Sequence, residues 1–398
     1  MNRTTRVPRA VRRRVPTLRL AALCIATLPL TVAAGPTIEF GQGSTLNFTY
    51  GLQIWNETRS FTSSTNPASS SDTFLRRNRL ALTGQYNDFI GFYAQLEAGG
   101  DGRGGSNDRS IFWRDAYVTF DYRDELRFIV GRVKNTFSRE NLEACLEPLT
   151  LDRAEVLSYT PFAGTRDMGV AVWGNLMDAR LQYRLMVADG REGPYVPDGK
   201  PRVTARVHVS LWDPEFNYGY QGTYLGTQKV LTIGASYDTQ PDVAYANYPM
   251  RADAQDYKAW TVDAFMELPT ASGVFTASAA IFEYDTGGAF AGSPDPGLSA
   301  NSDLEGYYIK GGYMLPGKIG PGRLQFFARH EKLDYGVKTG IAEYYDNTWN
   351  GIGFNYYIDG QRVKVTGEFN RIKYDTQHPV DNSLRDYRQA TLALQLIF

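Results

Sequence analysis

The chain has 398 residues, of which 42% are apolar and 21% charged, and its 42 basic and 43 acidic residues nearly cancel. That length allows one large domain or two ordinary ones. The two cysteines, Cys24 and Cys145, do not lie in CxxC or CxxCH sequences. They therefore exclude a disulfide framework and give no support to a zinc, redox or haem site, so no metal or cofactor is predicted.

The first 34 residues have the features of an export signal. Seven arginines precede an apolar run from Leu20 to Val32, and Ala33 and Ala34 follow it. We predict cleavage after Ala34, which makes 1–34 a signal peptide and 35–398 the mature domain. A single membrane anchor is the alternative, but the run is short for a membrane span. Cleavage leaves 42 − 7 = 35 bases against 43 acids, a net charge of −8, which argues against a nucleic-acid partner.

From Gly43 onward, apolar residues recur at alternate positions. The last segment is the clearest, with Ala390, Leu392, Leu394, Leu396 and Phe398 on one face and Gln389, Thr391, Ala393 and Gln395 on the other. A period of two is typical of a strand with two different faces. The other segments are 46–54, 80–86, 90–96, 116–120, 126–130, 168–172, 181–187, 203–209, 231–235, 260–266, 274–284, 307–313, 324–328, 352–356 and 363–369, of which 274–284 is poorly phased. About sixteen strands predict an all-β, transmembrane antiparallel barrel.

The connections between these segments alternate in length. Short ones at 87–88, 123–124, 269–272 and 359–360 lie between long ones at 56–73, 133–161, 285–303, 332–347 and 373–386. This is the arrangement of an outer-membrane barrel with its long loops outside the cell. The connection 213–228 is long where a short turn is expected, so either that turn is elaborated or the strand count is wrong by two.

Aromatic residues near strand ends fit the interfacial girdles of such a barrel. They are Trp55, Tyr86, Tyr122, Trp212, Tyr237, Trp260 and Tyr356. A large secreted β-sandwich or propeller is the alternative, because its strands alternate too.

Four stretches resemble the porin O and P family of bacterial phosphate- and polyphosphate-selective porins. They are Phe74 to Leu80 followed by Gly84, Gly131 to Lys134 leading into Phe137 and Ser138, Thr165 to Val170, and Arg388 to Phe398. The resemblance implies a sixteen-stranded, trimeric outer-membrane porin. It further implies that the third long loop folds into the lumen and that arginines and lysines line an anion path.

Basic residues in the inward phase of the strands are the candidate pore-lining set. They are Arg77, Arg79, Arg127, Arg184, Arg202, Arg206, Lys310, Arg323, Arg329, Arg362 and Lys364. The inward acids are Glu97, Asp115, Asp121, Asp167, Asp263, Glu267, Glu331 and Glu368. Arginine suits an anion path because it stays protonated and its planar fork matches phosphate oxygens. The alternative is that bases and acids pair across strands, as Arg79 with Glu97 or Lys364 with Glu368, and only stiffen a wet wall.

The third long loop is the predicted constriction. Its bases are Arg132, Lys134, Arg139 and Arg153, mixed with five acids. The segment 139–145 is predicted as a short helix, with Cys145 as a small packing residue.

We therefore predict a passive outer-membrane diffusion channel for small anions, with phosphate or polyphosphate as the solutes that the resemblance implies. The predicted partners are outer-membrane lipid, small anionic solutes and two further copies of the chain in a homotrimer. A general or cation-tolerant porin and a barrel-shaped sleeve in an envelope complex remain the alternatives. An enzyme is not predicted, because His208, His330 and His378 lie on separate segments without a GxSxG or HExxH sequence.

Overall fold

A computed structural model describes residues 35–98, 110–158, 165–193, 196–287, 289, 303–336 and 343–398. The predicted signal peptide lies outside the described residues. None of the helices in these ranges is long and apolar enough to cross a membrane.

The described chain forms a closed sheet of sixteen long antiparallel strands, which confirms the predicted fold class and strand count. Each long strand pairs with its neighbours in sequence, and β17 closes the barrel against β2 from Gln389 opposite Arg59 to Ile397 opposite Gly51. The strands are β1 Thr37–Phe40, β2 Ser44–Arg59, β3 Ser70–Gln85, β4 Ile90–Ala98, β5 Ile111–Arg123, β6 Leu126–Lys134, β7 Arg166–Leu176, β8 Leu181–Ala188, β9 Arg202–Ser210, β10 Val230–Asn247, β11 Ala252–Thr270, β12 Gly273–Asp285, β13 Leu304–Met314, β14 Arg323–Tyr335, β15 Asn347–Asp359, β16 Val363–Tyr374 and β17 Tyr387–Ile397. The short β1 adds to β2.

Helix is confined to short pieces. The α-helix α1 spans Arg139–Leu142, and 3-10 turns lie at Gly41–Gly43, Glu155–Ser158 and Asn382–Leu384. The predicted helix at 139–145 is therefore present but ends at Leu142. Beyond it, Glu143 adopts extended backbone and bridges to Tyr220.

The two faces of the wall follow the predicted alternation. On β17, Leu392 is 54% exposed on the outside, whereas Gln395 is only 2% exposed on the inside. Closure satisfies every wall strand on both edges, as hydrocarbon requires. The poorly phased β12 turns Thr276, Ser278 and Phe282 inward, with Ile281 outward.

The prediction that Trp55 belongs to an interfacial girdle is wrong. Trp55 is 6% exposed and contacts Phe74, Leu151 and Ala393 inside the barrel. The reason is parity, since Leu52 and Ile54 occupy the outward phase of β2 and an odd-numbered residue there points inward.

Two connections contact the inner face of the wall, and they are named here the loop segment (described residues 135–158, between β6 and β7) and the turn segment (211–229, between β9 and β10). Because β9 pairs directly with β10, the long connection at 213–228 is an elaborated turn and the strand count is right. Apolar side chains of the loop segment pack against the wall. Phe137 and Val156 join a buried cluster with Tyr257, Phe282 and Tyr308.

Candidate functional site

The loop segment is hydrogen-bonded to strands on several sides of the wall. The Leu151 amide donates to Glu368 on β16 at 2.8 Å, and the Glu155 amide donates to Glu331 on β14 at 2.8 Å. Two side chains donate to its carbonyls, Gln395 of β17 to Leu146 at 2.9 Å and Asn355 of β15 to Leu149 at 2.8 Å. Inward polar side chains therefore bind the backbone of this segment, which leaves few of its polar groups unsatisfied.

One carboxylate binds residues 223–226 of the turn segment. Glu267 on β11 accepts hydrogen bonds from the Thr223 hydroxyl at 2.8 Å, the Tyr224 amide at 2.8 Å and the Gly226 amide at 2.7 Å. Gly226 has a φ of +80°, a conformation that favours glycine and aims its amide at the carboxylate. This local geometry turns a long connection into a compact, ordered one.

The two segments also bind each other. The Ala144 amide donates to the Tyr220 carbonyl at 3.0 Å, and the Tyr220 amide donates to the Leu142 carbonyl at 3.3 Å. Arg139 forms two parallel hydrogen bonds to Glu215, at 2.7 and 2.8 Å, with side-chain exposures of 1% and 2%. Burial would raise the pKa of Glu215, but the Arg139 guanidinium lowers it below its ordinary value. The loop and turn segments are thus joined by strand-like backbone bonds and a buried ion pair.

Most of the predicted pore-lining bases lie inside the barrel and are paired with carboxylates. Arg77 binds Asp152 at 2.7 Å, Arg79 binds Glu97 at 3.0 Å, Arg202 binds Asp238 at 2.5 Å, Arg206 binds Asp263 at 2.6 Å, Arg329 binds Glu331 at 2.5 Å and Glu368 at 3.3 Å, Lys310 binds Glu140, and Arg127 binds Asp124 at 2.7 Å. Several of these acids belong to the loop segment or contact it. Through these ion pairs the inward bases help to hold the loop segment against the barrel wall.

The remaining predicted bases bind carbonyl oxygens or lie at the turns. Arg184 donates to the Tyr218 carbonyl at 2.7 Å, and Arg323 donates to the Leu225 carbonyl at 2.8 Å. Lys364 donates to the Leu146 carbonyl at 3.2 Å, so its predicted pairing with Glu368 is wrong, whereas that of Arg79 with Glu97 is confirmed. Arg362 lies outside the strands, in the turn before β16, where it binds Asp359 at 2.7 Å.

The four predicted loop bases separate in the structure. Arg132 lies on β6, before the loop segment begins, where it pairs with Ala116 and Met168, and its place in the constriction stays a prediction. Lys134 turns inward and donates to the carbonyls of Leu142, at 3.2 Å, and Glu143. Arg139 binds Glu215, as described above. Arg153 lies within 3.4 Å of the Asn141 side chain.

An open cavity of about 140 Å³ lies between β2–β6 and the two segments. Its cationic lining residues are Arg79, Lys134 and Arg166, and its acidic ones are Asp115 and Glu147. Arg166 binds Asp115 through two hydrogen bonds of 3.1 Å. Glu97, behind the lining, is shared by two arginines, because Arg114 binds it at 2.5 Å as well. The excess of bases over acids makes this side of the interior mildly cationic.

Sequence reasoning missed Arg114 and Arg166 as interior bases. Arg114 lies where the β4–β5 register shifts between Gln95 and Leu96, so simple alternation misplaces it. Arg166 begins β7, where the strand phase is not yet set. Cys145 is buried in the same cavity wall, as predicted for a packing residue.

A second cavity, of about 200 Å³, lies at the turn end of the barrel. Thr223, Leu225 and Arg362 line it, and Gln221 lines both cavities. The turn segment therefore borders both cavities.

The histidines do not come together. His208 is buried on β9 against the Tyr220 hydroxyl at 2.5 Å, and His330 faces outward between Tyr307 and Asn350. Among the described residues, no three His, Cys, Asp or Glu side chains group as metal ligands would.

Solved porin structures share this architecture. The chain is similar to the outer-membrane channel DcaP of Acinetobacter baumannii (TM-score 0.55, 13% identity, covering 91% of this chain and 99% of that one). It is also similar to an anion-selective porin from Comamonas acidovorans (0.54, 10%, 89% and 100%). The trimer form of the outer-membrane protein OmpT of Vibrio cholerae is a third (0.52, 10%, 89% and 99%). At these identities the likeness concerns the fold.

The sequence itself matches a family model across nearly its whole length. The model describes the phosphate-selective porin O and P family, and it matches residues 48–398. Together with the closed barrel, this match makes the protein a bacterial outer-membrane protein of porin type. The chain belongs to the phosphate-selective porin O and P family.

Proposed function

We propose that this protein is a passive diffusion channel for small anions, and that the cavity between β2–β6 and the two inner segments is the narrow part of its path. The observation that carries the proposal is the group of four bases around that cavity, Arg79, Arg114, Lys134 and Arg166. The loop segment would then be the constriction, folded into the lumen.

The charge balance explains how such a site attracts an anion without holding it. Glu97 is shared by Arg79 and Arg114, and Asp115 neutralises Arg166. Lys134 hydrogen-bonds only carbonyl oxygens among the contacts described above. A small positive excess replaces part of an anion's hydration, while the interspersed carboxylates keep the dwell time short. Phosphate is the solute that the family name suggests, and arginine forks match its oxygens.

The test is the zero-current potential of the purified protein in a planar bilayer under a KCl gradient. We expect anion preference, reduced current when phosphate is added, and loss of preference in a Lys134→Gln/Arg166→Gln variant. Arg362→Gln is the matched control, because it removes a base that lies at the turn end, away from the first cavity. Cation preference in the unaltered protein would contradict the anion assignment.

A general or cation-tolerant porin is the second candidate, and the extensive pairing of interior bases with acids favours it. The same experiment decides, since open channels without ion preference would support it. A protein without channels would instead support the sleeve in an envelope complex.

We also propose a homotrimer embedded in outer-membrane lipid. The family resemblance implies this assembly, and one of the structural neighbours was solved in a trimer form. Sedimentation of the detergent-extracted protein tests it, and a monomer under mild extraction would contradict it.

A further inference from the structure

Two arginines are directly opposite each other on the outer wall. Arg371 of β16 pairs with Arg388 of β17, and both side chains are exposed. Side chains opposite each other on one face of an antiparallel pair are neighbours, and like charges in that position destabilise the sheet. Lys373, also exposed, follows on the same face of β16. The wall thus carries three cations together.

Among the described residues, no ion pair joins Arg371 or Arg388 to a carboxylate. Asp375 binds Lys332 at 2.5 Å, and Asp386, which the β16–β17 register places opposite Lys373, accepts a hydrogen bond from the Tyr374 amide at 3.0 Å. Across β15, the partners of Arg371 and Lys373 are the neutral Asn350 and Thr348. The two opposed arginines therefore face outward without an ion-pair partner on the described wall.

The height of the group on the barrel indicates what it faces. On β17, the outward side chains from Ala390 to Phe398 are apolar and begin two residues below Arg388. At about 3.4 Å per residue and a tilt of about 40°, they cover roughly 20 Å, close to the apolar band of about 25 Å in such barrels. Phe369 is the corresponding apolar residue below Arg371. The three cations lie at the edge of this band on the long-loop side, at the level of lipid head groups.

We propose that Arg371, Lys373 and Arg388 form a site on the outer wall for the phosphate of a membrane lipid head group. A phosphate seated between the two opposed arginines would accept charge-assisted hydrogen bonds from both forks and cancel their repulsion. The acyl chains of the same lipid would lie along the apolar face of β16 and β17. The site stabilises the β16–β17 pair, which lies beside the closing seam of the barrel, only when such a lipid is present.

The experiment compares the full-length mature protein, an Arg371→Gln/Arg388→Gln variant and an Arg251→Gln/Lys258→Gln control. The control removes two exposed bases at the same end of the barrel, on the β10–β11 side. Each protein is titrated in uncharged detergent with diphosphoryl lipid A and, separately, with inorganic phosphate. Binding is read by native mass spectrometry, and stability by the thermal unfolding midpoint.

We expect at least tenfold weaker binding of lipid A at the tightest site in the Arg371/Arg388 variant, an unchanged control, and a difference that shrinks as salt rises. Without lipid, the variant should unfold at the same or a higher temperature than the unaltered protein, because the opposed charges are gone. With lipid, it should unfold at a lower one.

Three results would overturn the proposal. One is equal lipid affinity of the variant and the control. Another is inorganic phosphate alone reproducing the stabilisation, which would mean a free-anion site. The third is dissociation of the oligomer in the variant with lipid binding unchanged, which would mean that a second copy of the chain covers the group.

Discussion

The ion pair between Arg139 and Glu215 is the strongest connection between the two inner segments, and Glu215→Gln would break it. Both side chains are almost fully buried, and Arg139 also packs over the Phe265 ring, its guanidinium carbon 3.9 Å from the ring centre. Removing one member of a buried pair costs about 3–5 kcal/mol when the other charge is left uncompensated. Arg139 keeps a longer contact with Glu143, at 3.4 Å, so the cost here should lie near the lower end of that range. At roughly 1.4 kcal/mol per factor of ten, the undocked population of the turn segment should rise by a hundredfold or more.

Single-channel recording in a planar bilayer measures this undocking. If the cavity beside the two segments carries the current, Glu215→Gln should show higher conductance and frequent switching between levels, where the unaltered protein is steady. Glu305→Gln is the control, since this carboxylate is exposed on β13. A double-mutant cycle adds Arg139→Met and Arg139→Met/Glu215→Leu. The double variant should lower the free energy of unfolding by less than the sum of the single changes, because it removes both members of the Arg139–Glu215 pair together.

The reasoning fails if Glu215→Gln keeps the steady conductance of the unaltered protein while its unfolding midpoint falls. That result would mean that the pair stabilises the barrel without positioning the path. Purely additive costs in the cycle would mean that the two side chains do not act as a pair.

The remaining predictions concern pH, the wall and the separate roles of neighbouring arginines. Burial and the nearby Glu140 raise the pKa of Glu143 to about 7. The docked position of this side chain is therefore most stable below about pH 4.5, and the free energy that stabilises it falls by up to roughly 3 kcal/mol as pH rises towards 7. Current noise should grow from pH 5 to pH 8, and Glu143→Gln should remove that change. Arg77→Ala should weaken docking of the loop segment by about 2–4 kcal/mol, because Asp152 loses a buried partner, whereas Arg79→Ala should mainly reduce anion preference in the zero-current potential. Gly131→Ala should destabilise the barrel by about 1–3 kcal/mol, measured by thermal unfolding. The φ of Gly131 is +132°, and an added Cβ would lie 2.3 Å from the Ala116 carbonyl oxygen. Gly311→Ala is the control, because the space around Gly311 is open.

The wall could be predicted because its physics is local. In β17, four outward apolar residues from Ala390 to Leu396 alternate with inward residues that are mostly polar, and membrane and lumen impose that pattern on each strand independently. Sequence-based assignment of a side chain to the inward or outward face fails where the alternation along a strand is overlooked or is interrupted by a register shift. Trp55 is predicted as a girdle residue from its distance to the strand end, although its parity on β2 gives the inward face correctly.

The interior could not be predicted in the same way, because its contacts join residues far apart in sequence. The pairing of Arg79 with Glu97 was predictable, since neighbouring strands place them opposite each other. Arg139 and Glu215 belong to connections that are separated by the three strands β7, β8 and β9, and no periodicity relates them. The unusual length of 213–228 was the one visible signal that a turn had a structural role beyond joining β9 to β10.

The distribution of charge inside the barrel follows from the need to hold those two segments. A sixteen-stranded wall encloses more space than its own inward side chains fill, so connecting segments occupy part of it. Segments that carry Glu140, Glu143, Asp152 and Glu215 into a confined space need cations opposite them, since unpaired buried charge is costly. Inward bases are largely paired in this way, as at Arg77 and Lys310. The count of inward bases therefore overstates the charge that a passing ion meets. The ion preference should depend on the few bases beside the open cavity, above all Lys134 and the shared Arg79–Glu97–Arg114 group.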